Sequence, residues 1–321
     1  MIFNVANQAN SFVYHCNGGT DNIELITFIA NLRSKGFKNF TVEIEGKFGV
    51  TGSFTVGDST GRIILDFSKC SDLTVGTTFL TATNCTIRNL RLTVFGGDSI
   101  IAMKGVNSTF EHCMIAGMFA GGPCYVYEVT SSKMFDCECD ILNSETVYGI
   151  KGSDSIIQGC KIKVVSAYGS AYGINVSGSF VSDSFFEGKT DSATSDTSGN
   201  GGVGGGYFTN CQFVGSAGLK GYGFYVVSGY WLTMMNCVAR GYTKSSSTST
   251  RIGTGIGGDS NDATTVSLLG MNCNQVAVSG FNQTKSLDLP SAYGVYSGTF
   301  FTGVNVGSNM TNLGSYNRNR T

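Results

Sequence analysis

The sequence predicts an all-β chain wound as a single-stranded parallel β-helix, a β-solenoid, with a short α-helix capping its start. Three observations carry this. A unit built around cysteine recurs along most of the chain, and a second unit of the form Tyr-Gly-apolar falls upstream of it in several copies. The composition suits short strands and tight turns, with 45 Gly and only 2 Pro among 321 residues, and charged residues at 13% leave few positions for long solvent-facing helices.

The first 40 residues are expected to lead into the coils and cap them. Asp21 as N-cap with Glu24 three residues on makes a capping-box-like start, and Gly36 suits the stop. Between them Ile23, Leu25, Ile26, Phe28, Ile29 and Leu32 supply a broad apolar face. A helix here covers strand edges that would otherwise pair with another chain. Residues 41–321 then form about ten coils. Two stretches rich in Gly, Ser, Thr, Asp and Asn, near 189–206 and 243–265, are expected to project as loop insertions.

The cysteine unit reads apolar, any, turn former, Cys, any, apolar. Copies include Phe110, His112-Cys113 and Ile115, then Met134, Asp136-Cys137 and Cys139, then Ile157, Gly159-Cys160 and Ile162. Cys or Ser heads the unit at 85, 113, 137, 160, 184, 211, 237 and 273, at intervals of 28, 24, 23, 24, 27, 26 and 36. The preceding residues are Asn84, His112, Asp136, Gly159, Asp183, Asn210, Asn236 and Asn272, all types that tolerate a left-handed backbone. The unit is therefore a repeated corner, after which a small thiol points inward and stacks on the thiol of the next coil. The second unit reads Tyr148-Gly149-Ile150, Tyr172-Gly173-Ile174, Tyr222-Gly223-Phe224, Thr254-Gly255-Ile256 and Tyr293-Gly294-Val295.

Composition also excludes function classes. Lys and Arg number 21 against 22 Asp and Glu, so no basic field exists to bind nucleic acid or an anionic membrane surface. No apolar run is long enough to insert in a membrane, and Met1-Ile2-Phe3-Asn4 lacks the start of a signal peptide. The eleven cysteines lack a Cys-x-x-Cys pair, and His15 and His112 share no ligand spacing, so free buried thiols and neither metal nor cofactor are expected.

The corner Asn with stacking beside it resembles the Asn ladder of the pectate-lyase-like right-handed parallel β-helix superfamily. The segment Gly18-Gly19-Thr20-Asp21-Asn22, the helix through Leu32, Gly36 and Thr41–Val50 resembles the opening of phage and prophage tailspikes of that superfamily, with Asp21-Asn22 standing where paired Asp is usual. The resemblance implies a right-handed winding, recognition of bacterial surface polysaccharide, assembly as a homotrimer and contact with other tail proteins. It carries no catalytic residue over: neither the calcium-binding acidic cluster with a nearby Arg nor the grouped Asp residues with downstream His and Lys are found here.

Candidate site residues are read from the chain itself. Glu138 and Asp140 alternate with inward residues and project outward about 7 Å apart, as a glycosidase pair could. A coil of 23 residues, however, sets Lys161 beside Glu138 and Lys163 beside Asp140, with Glu187 following, and an ion-paired carboxylate makes a poor general acid. Glu128, near Tyr125 and Tyr127, and Glu145, before Tyr148, are further catalytic candidates. For carbohydrate binding, Tyr125, Tyr127, Tyr148, Tyr172, Tyr222 and Trp231 recur along the coils and could stack on successive sugar rings. The competing reading makes Tyr148 with Ile150 and Tyr172 with Ile174 an internal aromatic stack, because residues two apart share a face.

These readings describe a tail-associated protein, made in the bacterial cytoplasm and carried on the virion, that recognises bacterial surface polysaccharide, with depolymerisation left open. A non-catalytic structural or adhesive module is the alternative. A stand-alone polysaccharide lyase or glycoside hydrolase comes last, because it would need export.

Overall fold

A computed structural model describes residues 10–75, 79–96, 100–192, 197–243, 252–258, 265–273, 284–299 and 304–316. The chain forms a parallel β-solenoid of about nine turns. A mid-chain coil has three strands, and each pairs in parallel with its counterparts in the coils before and after. On the first face Cys124–Thr130 lies between Ile100–Val106 and Val147–Ser153. On the narrow second face Lys133–Phe135 lies between Thr109–Glu111 and Ile156–Gln158. On the third, Glu138–Asn143 lies between Met114–Phe119 and Lys161–Ser166.

Two left-handed corners hold the three-residue strand. The first corner carries Asn84, Asn107, Ser131, Asp154 and Gly178, the second Asn89, His112, Asp136, Gly159, Asp183, Asn210 and Asn236, all with φ between 49° and 68°. Each corner is followed by a buried column, Ser108, Ser132, Ser155 and Ser179 after the first, Cys113, Cys137, Cys160, Ser184, Cys211 and Cys237 after the second. Both columns satisfy corner backbone. Ser132 Oγ donates to the Thr130 carbonyl at 2.8 Å and accepts the Ser108 N–H at 3.1 Å. The Cys137 thiol donates to the Phe135 carbonyl at 3.4 Å, and Ser184 Oγ accepts the Cys160 N–H at 3.0 Å. The ten described cysteines are free. The Cys113 thiol, then burial, holds the Cys137 thiol well above its ordinary value, so this thiol stays protonated.

The thiol column expected from the sequence is present at Cys113, Cys137 and Cys160, with two corrections. Cys85 belongs to the serine column, since its N–H donates to Ser108 Oγ at 3.4 Å, and Asn89 takes the second corner in that coil. At the other end Leu269 pairs with Met235, Gly270 turns the corner at φ 60°, and buried Met271 follows it. Asn272 and Cys273 have already entered the next strand, opposite Val238 and Ala239. The first misplacement arises because the two corners use the same local chemistry, the second because an Asn-Cys pair recurs two residues past the Gly270 corner, where it is already strand.

The first coil starts ahead of the helix, because Asn10–His15 pairs with Phe40–Gly46. Helix α1, Asp21–Ser34, buries Leu25, Ile29 and Leu32 in the common core, about 1.5–3 kcal/mol for each fully buried side chain, while Ile23 and Ile26 stay exposed. Its N-cap is Thr20, and Asp21 is its first residue. The buried Asp21 carboxylate accepts the N–H groups of Asn17, Gly18 and Gly49 and the Tyr14 hydroxyl. Burial opposes its ionisation, but these donors prevail and hold its pKa below the ordinary value.

In the stretch 189–206, expected to loop out, both Phe185–Thr190 and Ser198–Thr209 run as strands in the sheets, and 193–196 lie outside the described residues. In the second such stretch Ile252–Gly258 is also a strand, and 244–251 and 259–264 lie outside the described residues. The glycines there serve packing. A Cβ on Gly202 would lie 2.4 Å from Phe224 and 2.9 Å from Phe213, so backbone yields the space that a cluster of Phe208, Phe213 and Phe224 fills.

Candidate functional site

On the first face the pleat is interrupted at the same place in successive coils. Strict alternation would put Tyr125 and Tyr127 on one side; instead Val126 and Tyr127 both turn inward, as do Gly149 with Ile150 and Gly173 with Ile174. Two inward residues in succession bring the backbone against the core. A Cβ on Gly149 would lie 2.2 Å from Ile162 and 2.5 Å from the Gly173 carbonyl, and one on Gly173 2.6 Å from the Gly201 carbonyl. This is the physical content of the Tyr-Gly-Ile unit.

The interruption also shapes the outer surface. Outward residues on either side of it are three apart, about 10 Å along the strand in place of about 7 Å. One outward column is Ile101, Tyr125, Tyr148, Tyr172, Asn200 and Tyr222. The other is Lys104, Glu128, Lys151 and Asn175. The depression between them is a groove along the solenoid axis.

Tyr125 stacks on Tyr148 with ring centroids 4.9 Å apart and planes 9° apart, and Tyr148 on Tyr172 at 4.6 Å and 13°. Lys151 Nζ reaches across the groove to 4.6 Å from the Tyr125 ring and 5.4 Å from that of Tyr148. Burial within the stack, and then the neighbouring hydroxyls of Tyr172 and Tyr125, push the Tyr148 hydroxyl up to about 12.

Two clefts deepen this face. One of about 350 Å³ is lined by Tyr148, Tyr172, Asn200, Lys220, Tyr222 and Tyr225 among others. The second, of about 420 Å³, takes in Glu128, Lys151, Ser153 and Tyr230. They share Asn175 and Val227, so they adjoin one another.

The structure thus brings Tyr125, Tyr148, Tyr172 and Tyr222 into one column and separates the other two aromatic candidates from it. Tyr127 is fully buried and its hydroxyl donates to the Cys113 and Glu138 carbonyls, each at 3.2 Å, so it is a core residue. Trp231 packs on Tyr207, whose ring stacks on that of Phe180 on the narrow face. Tyr293 pairs with Thr265 on that same face, so Tyr293-Gly294-Val295 is no part of the tyrosine column. The internal-stack reading of Tyr148 and Tyr172 fails for the same reason as the Tyr127 assignment: the interrupted pleat puts Ile150 and Ile174 inside and their tyrosines outside.

Of the carboxylates, Glu128 lines the groove and sits 3.5 Å from Lys104 Nζ. Glu138 and Asp140 lie on the third face, opposite Lys161 and Lys163, and Lys163 stands opposite Glu187, the register expected from the coil length. Glu145 is exposed in the connection before Val147–Ser153. Asn175, Asn200, Lys151 and Lys220 were missed as site residues, although the 23–28 residue interval from the tyrosines placed Asn200 in their column.

Among the described residues no three His, Cys, Asp or Glu side chains converge as a metal site, and no helix is long and apolar enough to cross a membrane. The sequence matches no protein-family model and no curated protein. Among solved structures the chain is similar to bacteriophage CBA120 tailspike protein 3, at 13% identity and a TM-score of 0.36. The likeness covers 93% of this chain and 60% of that one, so the chain spans less than two thirds of that tailspike's length. At this level the likeness concerns the path of the backbone and brings no residue role with it.

Proposed function

We propose that this chain is a tail-associated β-solenoid of phage or prophage type that recognises bacterial surface polysaccharide in the groove of its first face, without cleaving it. The observation that carries the reading is the adjoining pair of clefts, walled by stacked tyrosines and edged by Lys151, Lys220 and Asn175. Aromatic rings beside a few polar groups on a rigid, axially extended surface suit a chain of sugar rings. The tail setting and a homotrimeric assembly rest on the resemblance at Gly18–Asn22 and the capping helix.

Binding is favoured over hydrolysis because most glycoside hydrolases use two carboxyl groups roughly 5–9.5 Å apart. Among the described residues Glu128 is the single carboxylate lining the two clefts, and Lys104 engages it. A panel of purified bacterial surface polysaccharides, assayed for binding on an array and for release of reducing ends or unsaturated products, tests this. Binding without turnover, lost on Tyr148→Ala, is expected. Turnover abolished by Glu128→Gln overturns the non-catalytic reading. Absence of any bound polysaccharide leaves the solenoid as a structural spacer, and light scattering reports whether three chains associate.

A further inference from the structure

The tyrosine column has a gap. By register, the outward position held by tyrosine at 125, 148 and 172 is held by Asn200 in the next coil and by tyrosine again at 222. Within the stack each ring face is covered by the ring of the next coil. At Asn200 no ring follows, so Tyr172 and Tyr222 flank a slot two strand spacings wide, about 9.6 Å between backbones. Tyr172, Asn200 and Tyr222 line the same cleft.

Asn200 is 2% exposed, and its Nδ2 donates to Ser198 Oγ at 2.7 Å, while its Oδ1 has no partner. One buried polar atom is thus left unsatisfied, which is destabilising in a folded chain unless a group from outside completes it. A sugar hydroxyl is a donor and can complete the Asn200 oxygen.

We propose that the gap at Asn200 is a subsite for one pyranose residue, held between Tyr172 and Tyr222 with a ring hydroxyl hydrogen-bonded to the Asn200 carboxamide. This rests on the glycan-binding reading of the groove and gives it a defined anchor. The stacked run Tyr125–Tyr148–Tyr172 offers ring edges, whereas at the gap no ring of the next coil follows Tyr172, on whose face a pyranose can pack, and Tyr222, in T-shaped contact with Tyr225 at 5.0 Å, bounds the other side.

The test uses the full chain and glucose, galactose, N-acetylglucosamine and glucuronate as probes, read by saturation-transfer NMR. A single ring of about twelve heavy atoms is expected to bind in the millimolar range. Asn200→Tyr fills the gap with the side chain the preceding coils carry, and it should abolish transfer while far-UV circular dichroism stays unchanged. Asn200→Ala, which keeps the slot and removes the amide, should weaken binding about tenfold, the worth of one neutral hydrogen bond, and it carries the test should Asn200→Tyr not fold. Transfer unchanged in the folded variants, or absent in the parent for all four sugars, overturns the subsite. Array binding of a polysaccharide by the parent, undiminished in these variants, removes the subsite but leaves the groove reading standing. A parent chain that binds no polysaccharide removes both.

Discussion

Replacing Ser132 by alanine isolates one rung of the inner hydrogen-bond ladder. Ser132 Oγ accepts the N–H of Ser108, itself 2% exposed, and donates to the carbonyl of Thr130. That carbonyl also accepts the Asn107 N–H at 3.1 Å, so it keeps a partner when the hydroxyl is removed. The Ser108 N–H does not. One stranded buried amide costs about 1–3 kcal/mol, and with a single group orphaned we expect about 1–2 kcal/mol. Cysteine at 132 should cost less than alanine, although it is the larger residue, because the Cys237 sulfur accepts the Cys211 N–H at 3.5 Å in the neighbouring column. Steric fit alone orders the pair differently, since alanine enters the serine site without strain and the larger sulfur does not. Guanidinium unfolding gives the stability difference, and because a solenoid can open coil by coil, hydrogen exchange at the Ser108 amide gives the local one. The reasoning fails if Ser132→Ala is as stable as the parent within about 0.3 kcal/mol, or if Ser132→Cys is the less stable variant.

Other outcomes follow from the corners, the glycines and the tyrosine stack. Asp136→Gly should leave stability nearly unchanged, whereas Asp136→Val, at φ 51°, should lower it by about 1–2 kcal/mol in the same unfolding assay. Gly202→Ala places a methyl group 2.4 Å from the Phe224 ring and should cost about 1–3 kcal/mol, with a changed near-ultraviolet spectrum reporting the displaced phenylalanines. The raised pKa of Tyr148 means that the folded chain holds this proton more tightly than the unfolded chain. Its contribution to stability is therefore complete below pH 10 and is lost as pH rises toward 12, which absorbance at about 295 nm on alkaline titration of the parent and of Tyr148→Phe will resolve.

What could be read from the chain was whatever depends on local chemistry or on interval arithmetic. His112-Cys113, Asp136-Cys137 and Gly159-Cys160 declare a left-handed residue followed by a small inward one, and 23 residues from Glu138 to Lys161 fix their pairing. The reading failed where a neighbour decides. Asn84-Cys85 has the same local chemistry as the second corner, and only its hydrogen bond to Ser108 assigns it to the first. The Gly-rich run 198–206 has the composition of a flexible loop, and only the rings of Phe213 and Phe224 across the coil explain its strand. Tyr125 and Tyr127 are equivalent by alternation, and the paired inward turn of Val126 and Tyr127 separates them. Asn200 was silent because asparagine between two glycines resembles a turn until the register sets it beneath Tyr172.

The two corners lie five residues apart at Asn107 and His112, Ser131 and Asp136, Asp154 and Gly159, and Gly178 and Asp183. That spacing is fixed because a hydroxyl and a thiol or hydroxyl must meet the adjoining turn on either side of a three-residue strand. Around these coils the differences in repeat length collect at the remaining bend, between strands ending at Asn143, Ser166 and Thr190 and those starting at Val147, Ala171 and Ser198, while a later coil also lengthens between Val226 and Leu232. Thr197 and Ser198, at one such bend, border the slot at Asn200. Variation in ligand preference among descendants of this chain can thus arise by lengthening or shortening those bends, leaving the winding machinery untouched.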